Sequence, residues 1–167
     1  MQKLMSRIRS AAQKYNMIND GDVIAVGVSG GKDSVALLCA LSEMRRFYPK
    51  KYEVKAITLD PCFGGVETDY SEIEKLCEKL GVKYVLRRTQ LGQIIFDERG
   101  ESNPCSLCAK MKRGILCDAA KEMGCDFLAL AHHKDDLIDT FLLNLFYAGR
   151  IDTFLPVTDL TKTGITV

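Results

Sequence analysis

Apolar, β-prone runs alternate with helical patterns along this chain, and the alternation predicts an α/β domain: a parallel sheet with helices on both faces. Four runs carry the expected strands, "DVIAVGV" (22–28), "VKAITLD" (54–60), "VKYVLRR" (82–88) and "DFLALA" (126–131). They are nearly continuous in apolar residues, the mark of strands buried on both sides. Helical stretches lie between them at 33–47, at 105–123 before Gly124 and at 134–148 before Gly149. Another runs through Ile73, Leu76, Cys77 and Leu80 and is closed by Gly81. Such crossovers are right-handed, and ligands bind beyond the carboxyl ends of the strands.

The first element is helical as well. Leu4, Ile8, Ala11, Tyr15 and Ile18 recur at helical spacing, so residues 1–18 are expected to form an amphipathic helix packed on a domain spanning 19–167. Its cations Lys3, Arg7, Arg9 and Lys14 have no acid among them. Further basic clusters stand at Arg45, Arg46, Lys50 and Lys51, at Arg87 and Arg88, and at Lys110, Lys112 and Arg113; each alone reads equally well as a solvated face. The last residues, "TKTGITV", read as the start of a fifth strand with no turn or cap after it, so the expectation is a chain truncated at its C-terminus.

The 167 residues suffice for one core and not for two ordinary ones. A net charge of +1 excludes polyanion binding driven by bulk charge. The longest apolar runs fall far short of the roughly 18 residues a membrane helix needs, and the N-terminus lacks a secretory h-region. These features predict a cytoplasmic protein without a membrane partner. The seven cysteines are odd in number and irregular in spacing, so most are expected to be free thiols, with any close pair a candidate for metal or redox chemistry.

The chemistry starts at "VGVSGGKDS" (26–34). A Walker loop needs a glycine six residues before the lysine and Ser or Thr after it, but Val26 and Asp33 hold those places. The dinucleotide fingerprint fails as well, because Ser29 follows Gly27 where a glycine is required. A tight strand-to-helix turn at Gly30 and Gly31 is the plain structural reading. An anion suits the geometry better, since free amides and the positive end of the following helix would face it. Ser29, Ser34 and Lys32 add donors, whereas the Asp33 carboxylate would repel phosphate unless Mg²⁺ bridges the two. A metal-bound pyrophosphate satisfies both demands.

"SGGKDS" after a strand resembles the motif of the PP-loop ATP pyrophosphatases. That resemblance implies an adenine-nucleotide alpha-hydrolase-like, Rossmann-like domain. It also implies ATP held by Ser29, Gly30, Gly31, Lys32, Asp33 and Ser34, with pyrophosphate leaving and AMP passing to the substrate. Lys32 and Asp33 take the catalytic places. Asp60, ending the second strand run, is a candidate nucleotide contact by position, or simply a turn residue.

"ALAHHKDD" (129–136) ends the fourth strand run. Alone it could be a metal site, an acid–base site or a polar helix start whose carboxylates complement the dipole. With the residues that follow, it resembles the H-H-x-D-D-x-x-E-T stretch of PP-loop enzymes that modify tRNA, with Ala131 and Asp139 departing from a common glycine and glutamate. The resemblance makes His132, Asp135 and Asp136 nucleotide contacts, and Asp33 and Asp136 magnesium ligands.

"NPCSLCAKMKRG" (103–114) sets Cys105 and Cys108 in a first helical turn. A single C-x-x-C is a redox pair, half a zinc site or part of an iron–sulfur site. Here it is similar to the corresponding helix of the tRNA 2-thiolation enzymes, whose cytidine-thiolating members bind a [4Fe–4S] cluster through this pair and one later cysteine. Lys112 stands where uridine-thiolating relatives carry a functional lysine. Among the other thiols, Cys39, Cys77 and Cys125 look structural and Cys117 is ambiguous. Cys62 follows the second strand run at the same sheet edge and is a weak candidate for a third cluster ligand.

The resemblance implies an ATP-dependent tRNA 2-thiolation transferase. In this reaction, O2 of a tRNA cytidine attacks the α-phosphorus, pyrophosphate leaves, and sulfur replaces AMP at C2. Its partners would be tRNA and a sulfur donor such as a cysteine desulfurase persulfide; a homodimer is compatible with it. Two other readings stay open: a lysidine-synthetase-like or uridine-thiolating PP-loop enzyme, and a non-catalytic ATP-binding module.

Overall fold

The computed structural model describes residues 2–95, 104–160 and 163–167. Asn103, Thr161 and Lys162, which belong to two of the segments quoted above, lie outside the described residues.

The four expected strands form as β1 (Val23–Gly27), β2 (Glu53–Asp60), β3 (Lys83–Arg88) and β4 (Phe127–Ala129). They pair in parallel, with Val23 opposite Glu53, Lys55 opposite Lys83 and Ile24 opposite Phe127. The C-terminal segment is not a lone strand start. It makes an antiparallel hairpin of β5 (Asp159–Leu160) and β6 (Ile165–Thr166), and β6 lies parallel to β4 through Thr166 and Phe127. The sheet order is β3-β2-β1-β4-β6-β5.

Alternation along the central strands sends side chains to two different cores. Ile24, Val26, Val54 and Ala56 pack with Leu38, Leu41 and Met44 of α2 (Lys32–Met44) and with Ile73 and Cys77 of α3 (Ser71–Leu80). Ala12 of α1 (Gln2–Lys14) joins this cluster, with Met5 and Ile8 packed against it. Ala25, Ile57 and Leu128 face the other way, toward Cys117, Ala119 and Ala120 of α5 (Pro104–Glu122). Helices therefore cover both faces. A single turn, α4 (Leu91–Gln93), adds a third small cluster of Leu91, Ile95 and Cys108. The last helix, α6 (Lys134–Ala148), buries none of its residues.

The first helix is shorter than residues 1–18. Asn16 takes a left-handed conformation, φ 48°, and the Met17 amide donates to the Ala12 carbonyl at 2.9 Å. That is a Schellman stop with asparagine in the glycine position, and it turns Tyr15 and Ile18 out of the helix. None of the described helices is long and apolar enough to cross a membrane.

Candidate nucleotide and thiolation site

The loop after β1 is fixed to β2 at its root. The Val28 amide donates to the Ile57 carbonyl, and the buried Thr58 hydroxyl donates to the Val28 carbonyl, both at 2.8 Å. Gly30 then sits at φ +87°. A Cβ there would meet Ile73 at an ordinary 3.7 Å, so the backbone conformation rather than space demands glycine. Gly31 is the extended N-cap of α2.

The two serines shape this turn. The Ser34 hydroxyl donates to the Gly31 carbonyl at 2.9 Å and accepts the Ser29 amide at 3.2 Å. Ser29 Oγ in turn accepts the Gly31 amide at 3.3 Å. Ser34 is buried, while Ser29, Lys32 and Asp33 are exposed. The first-turn amides of α2 have no intrahelical acceptors, so amides, a cation and a carboxylate are presented together at the carboxyl edge of the sheet.

Asp60 ends β2 at that edge, but its carboxylate turns inward and is 1% exposed. One oxygen accepts the Cys62 amide at 3.1 Å and the other the Thr68 amide at 2.9 Å. Arg88 lies 4.0 Å from it and is paired more closely, at 3.0 Å, with Glu67. In this structure Asp60 ties down the segment after β2. Cys62 is held there at φ 47°, with its thiol 3.8 Å from the Asp60 carbonyl.

Beyond β4, the His132 amide closes a tight turn on the Leu130 carbonyl at 2.9 Å, and its ring lies 5.3 Å from that of Phe154. His133 caps α6. Its amide donates to Asp136 Oδ2 at 2.7 Å, and its Nδ1 lies 3.3 Å from the same oxygen. Asp135 projects from the first turn, exposed. The approach of β1 to this segment is close: a Cβ on Gly27 would stand 2.8 Å from Leu130 Cδ2. The sequence reading did not single out Gly27 for this constraint.

On α5, Cys105 is exposed, whereas Cys108 is buried against Leu91 and Ile95. Lys112, one turn beyond Cys108, places its ammonium 5.2 Å from the centre of the Phe63 ring. Phe63 opens the 3-10 turn Phe63–Gly65 after β2, so α5 reaches the carboxyl edge of the sheet through this contact. In the sequence Phe63 carries only a faint signal, an aromatic residue beside two glycines after a strand end. Among the described residues, no group of three or more His, Cys, Asp or Glu side chains converges to hold a metal.

Burial settles the remaining thiols. It pushes Cys77 up to about 11 and raises Cys39, Cys117 and Cys125, which keeps them neutral and structural. Several of the basic clusters are also occupied. Arg45 donates to the Ser42 and Leu80 carbonyls at the ends of α2 and α3, and Lys50 donates to the Ile18 carbonyl. Arg87 pairs with Glu122.

A parallel sheet whose first strand runs through a glycine turn into a helix start bearing lysine and aspartate defines an ATP-binding α/β domain. Residues 3–161 match the model of the PP-loop domain, and the chain belongs to that family. Similar curated proteins include the tRNA-cytidine(32) 2-sulfurtransferase of Geotalea uraniireducens, 41% identical over 154 residues. That match covers 92% of this chain and 61% of the relative. The enzyme of the same name from Citrifermentans bemidjiense is 39% identical over 165 residues, covering 98% of this chain and 64% of its own. Among solved structures, the U34-tRNA thiolase NcsA from Methanococcus maripaludis, with its [4Fe-4S] cluster, superposes with a TM-score of 0.70. It is 28% identical, and the match covers 88% of this chain and 50% of NcsA. The chain thus spans about 60% of the length of the curated relatives it matches.

Proposed function

We propose that this chain carries the ATP-binding and cysteine-pair elements of a tRNA-cytidine 2-sulfurtransferase. The observation that supports this best is the junction of two motifs at one sheet edge. The Ser29–Ser34 loop opens from β1, and the C-x-x-C helix reaches the end of the adjacent β2 through Lys112 and Phe63. A PP-loop enzyme that only adenylates has no need of the cysteine pair.

In this reading O2 of the cytidine attacks the α-phosphorus of ATP, and the bond to pyrophosphate breaks. Lys32 and the amides at the start of α2 stabilise the charge gathering on the leaving group. A sulfur nucleophile then attacks C2, and AMP departs with the former O2. Asp33 and Asp136 would hold Mg²⁺. Such an ion needs only one or two protein carboxylates, because phosphates and water complete its shell. Cys105 and Cys108 would hold two corners of a [4Fe–4S] cluster, which when bound supplies the sulfur-carrying site. Cys62, which follows β2 at the same sheet edge, would be the candidate third ligand. His132 and Asp135 border the nucleotide, and tRNA and a persulfide donor are the partners.

The test is Asp33→Ala. The carboxylate positions metal in the transition state more than it binds the nucleoside. ATP affinity should stay largely intact, while tRNA-dependent pyrophosphate release falls to background. Normal release in this variant would end the assignment.

A further inference from the structure

The segment after β2 is anchored at three points. The Asp60 carboxylate takes the amides of Cys62 and Thr68, and the Gly92 amide donates to the Pro61 carbonyl at 3.0 Å. Gly92 must lack a side chain to allow this. A Cβ there would stand 2.8 Å from Phe63 Cδ1, 2.9 Å from Phe63 Cα and 3.1 Å from the Pro61 carbonyl oxygen. Such distances to backbone leave no room for a side chain, so the α4 turn packs directly against Phe63, a residue otherwise 47% exposed. Over that ring stands the ammonium of Lys112, a half-buried residue. Lysine has a flexible four-carbon stem, and an aromatic face held in place is a seat for its charge.

We infer that Phe63 is a positioning residue, seating the Lys112 ammonium at the carboxyl edge of the sheet to meet the α-phosphate as it passes from ATP to the RNA. The α4 turn and Asp60 serve that seat by holding the ring. Lys112 and Cys108 are four residues apart on α5 and so share one face, which couples the cysteine pair to the same seat. The catalytic consequence rests on the proposed tRNA reaction; the seating of Lys112 does not.

Two readouts test it on the full chain: wild type, Phe63→Leu, which keeps apolar bulk without the ring, and Phe63→Tyr, which keeps the ring. In the first, amines are labelled with a limiting acylating reagent and Lys112 is compared with the exposed Lys110 by peptide mass. Phe63→Leu should raise relative labelling of Lys112 by about 2–5-fold, and Phe63→Tyr should match wild type. In the second, tRNA-dependent pyrophosphate release, a step that precedes sulfur transfer, should show kcat lowered by about 2–30-fold in Phe63→Leu. KM for ATP should be unmoved and tyrosine should restore the rate. Unchanged labelling in Phe63→Leu overturns the seat. Changed labelling with unchanged kcat overturns its role in the reaction, as does failure of tyrosine to rescue. If wild type releases no pyrophosphate with tRNA, the proposed reaction falls, and the labelling alone upholds or overturns the seat.

Discussion

Replacing Asp60 with asparagine keeps the shape of a buried side chain and removes its charge. The carboxylate accepts two backbone amides, from Cys62 at 3.1 Å and Thr68 at 2.9 Å. Asparagine offers one oxygen, so one amide would face an NH₂ donor instead. A hydrogen bond to a charged group is worth about 1.5–3 kcal/mol, and a donor left facing a donor adds its desolvation cost. Arg88 adds little to the loss, because it is 44% exposed on its side chain, 4.0 Å away and already paired with Glu67. The loss of folding stability should therefore be about 2–4 kcal/mol. For a domain of this size that lowers Tm by roughly 4–16 °C. Urea denaturation at pH 7 measures it directly, with ATP affinity measured well below the melting transition. Affinity should fall less than about tenfold, a change of 1.4 kcal/mol. A stability change below about 0.5 kcal/mol, the level of an ordinary surface substitution, would refute the reasoning. With a larger loss of ATP affinity beside it, that result would make Asp60 a direct nucleotide contact.

Three other outcomes are expected. Cys77, fully buried and raised to about 11 from an ordinary thiol value of 9.0, holds its proton more tightly folded than unfolded. Its contribution to stability is complete below pH 9 and is lost as pH rises toward 11. The stability difference between wild type and Cys77→Ala should shrink by up to about 1.4 kcal/mol per pH unit across that window, and a constant difference would refute the assignment. Changing Lys3, Arg7, Arg9 and Lys14 to glutamine should lower the salt slope of tRNA binding by roughly 0.7–0.9 for each phosphate no longer neutralised. Deletion of the helix is the wrong probe, because Ala12 belongs to the core; an unchanged slope would reduce the helix to a cover. Anaerobic reconstitution should load fewer than about four irons per chain, since two cysteines leave too many cluster corners without thiolate. About four irons that vanish in Cys62→Ser would make Cys62 the third ligand, and four that survive would show that two thiolates suffice.

The parallel core was legible because its strands are apolar on both faces, a pattern that needs no knowledge of neighbours. Helix ends were legible where glycine marks them: Gly81, Gly124 and Gly149 all take left-handed conformations, with φ of 62°, 67° and 60°. Asn16 does the same at the end of α1, but Tyr15 and Ile18 continue the helical period past it, and periodicity hid the stop. The α4 turn and the β5–β6 hairpin have two or three residues per element, too few for any period. They form because Gly92 can approach Pro61 and because Thr166 finds Phe127 on β4.

The site divides along the same line. The Ser29–Ser34 turn is built from hydrogen bonds within five residues of chain, so the turn could be read from local chemistry. Ser34, expected as a donor to the anion, instead closes on Gly31 and accepts from Ser29. Asp60 was found by its place at a strand end, but what it does depends on where the chain has travelled by Thr68. Composition could not say whether a carboxylate at a sheet edge is buried, because burial is a property of the whole fold. Phe63 and Lys112 lie further still from local pattern, since one belongs to a 3-10 turn and the other to a helix that follows only after α3, β3 and α4. Glycine at 92 leaves the room in which Phe63 packs, and in the sequence it is one glycine among 13. Residues that bind ligand through their own turn announce themselves in sequence, whereas residues that position others through tertiary contact become visible only once the chain is folded.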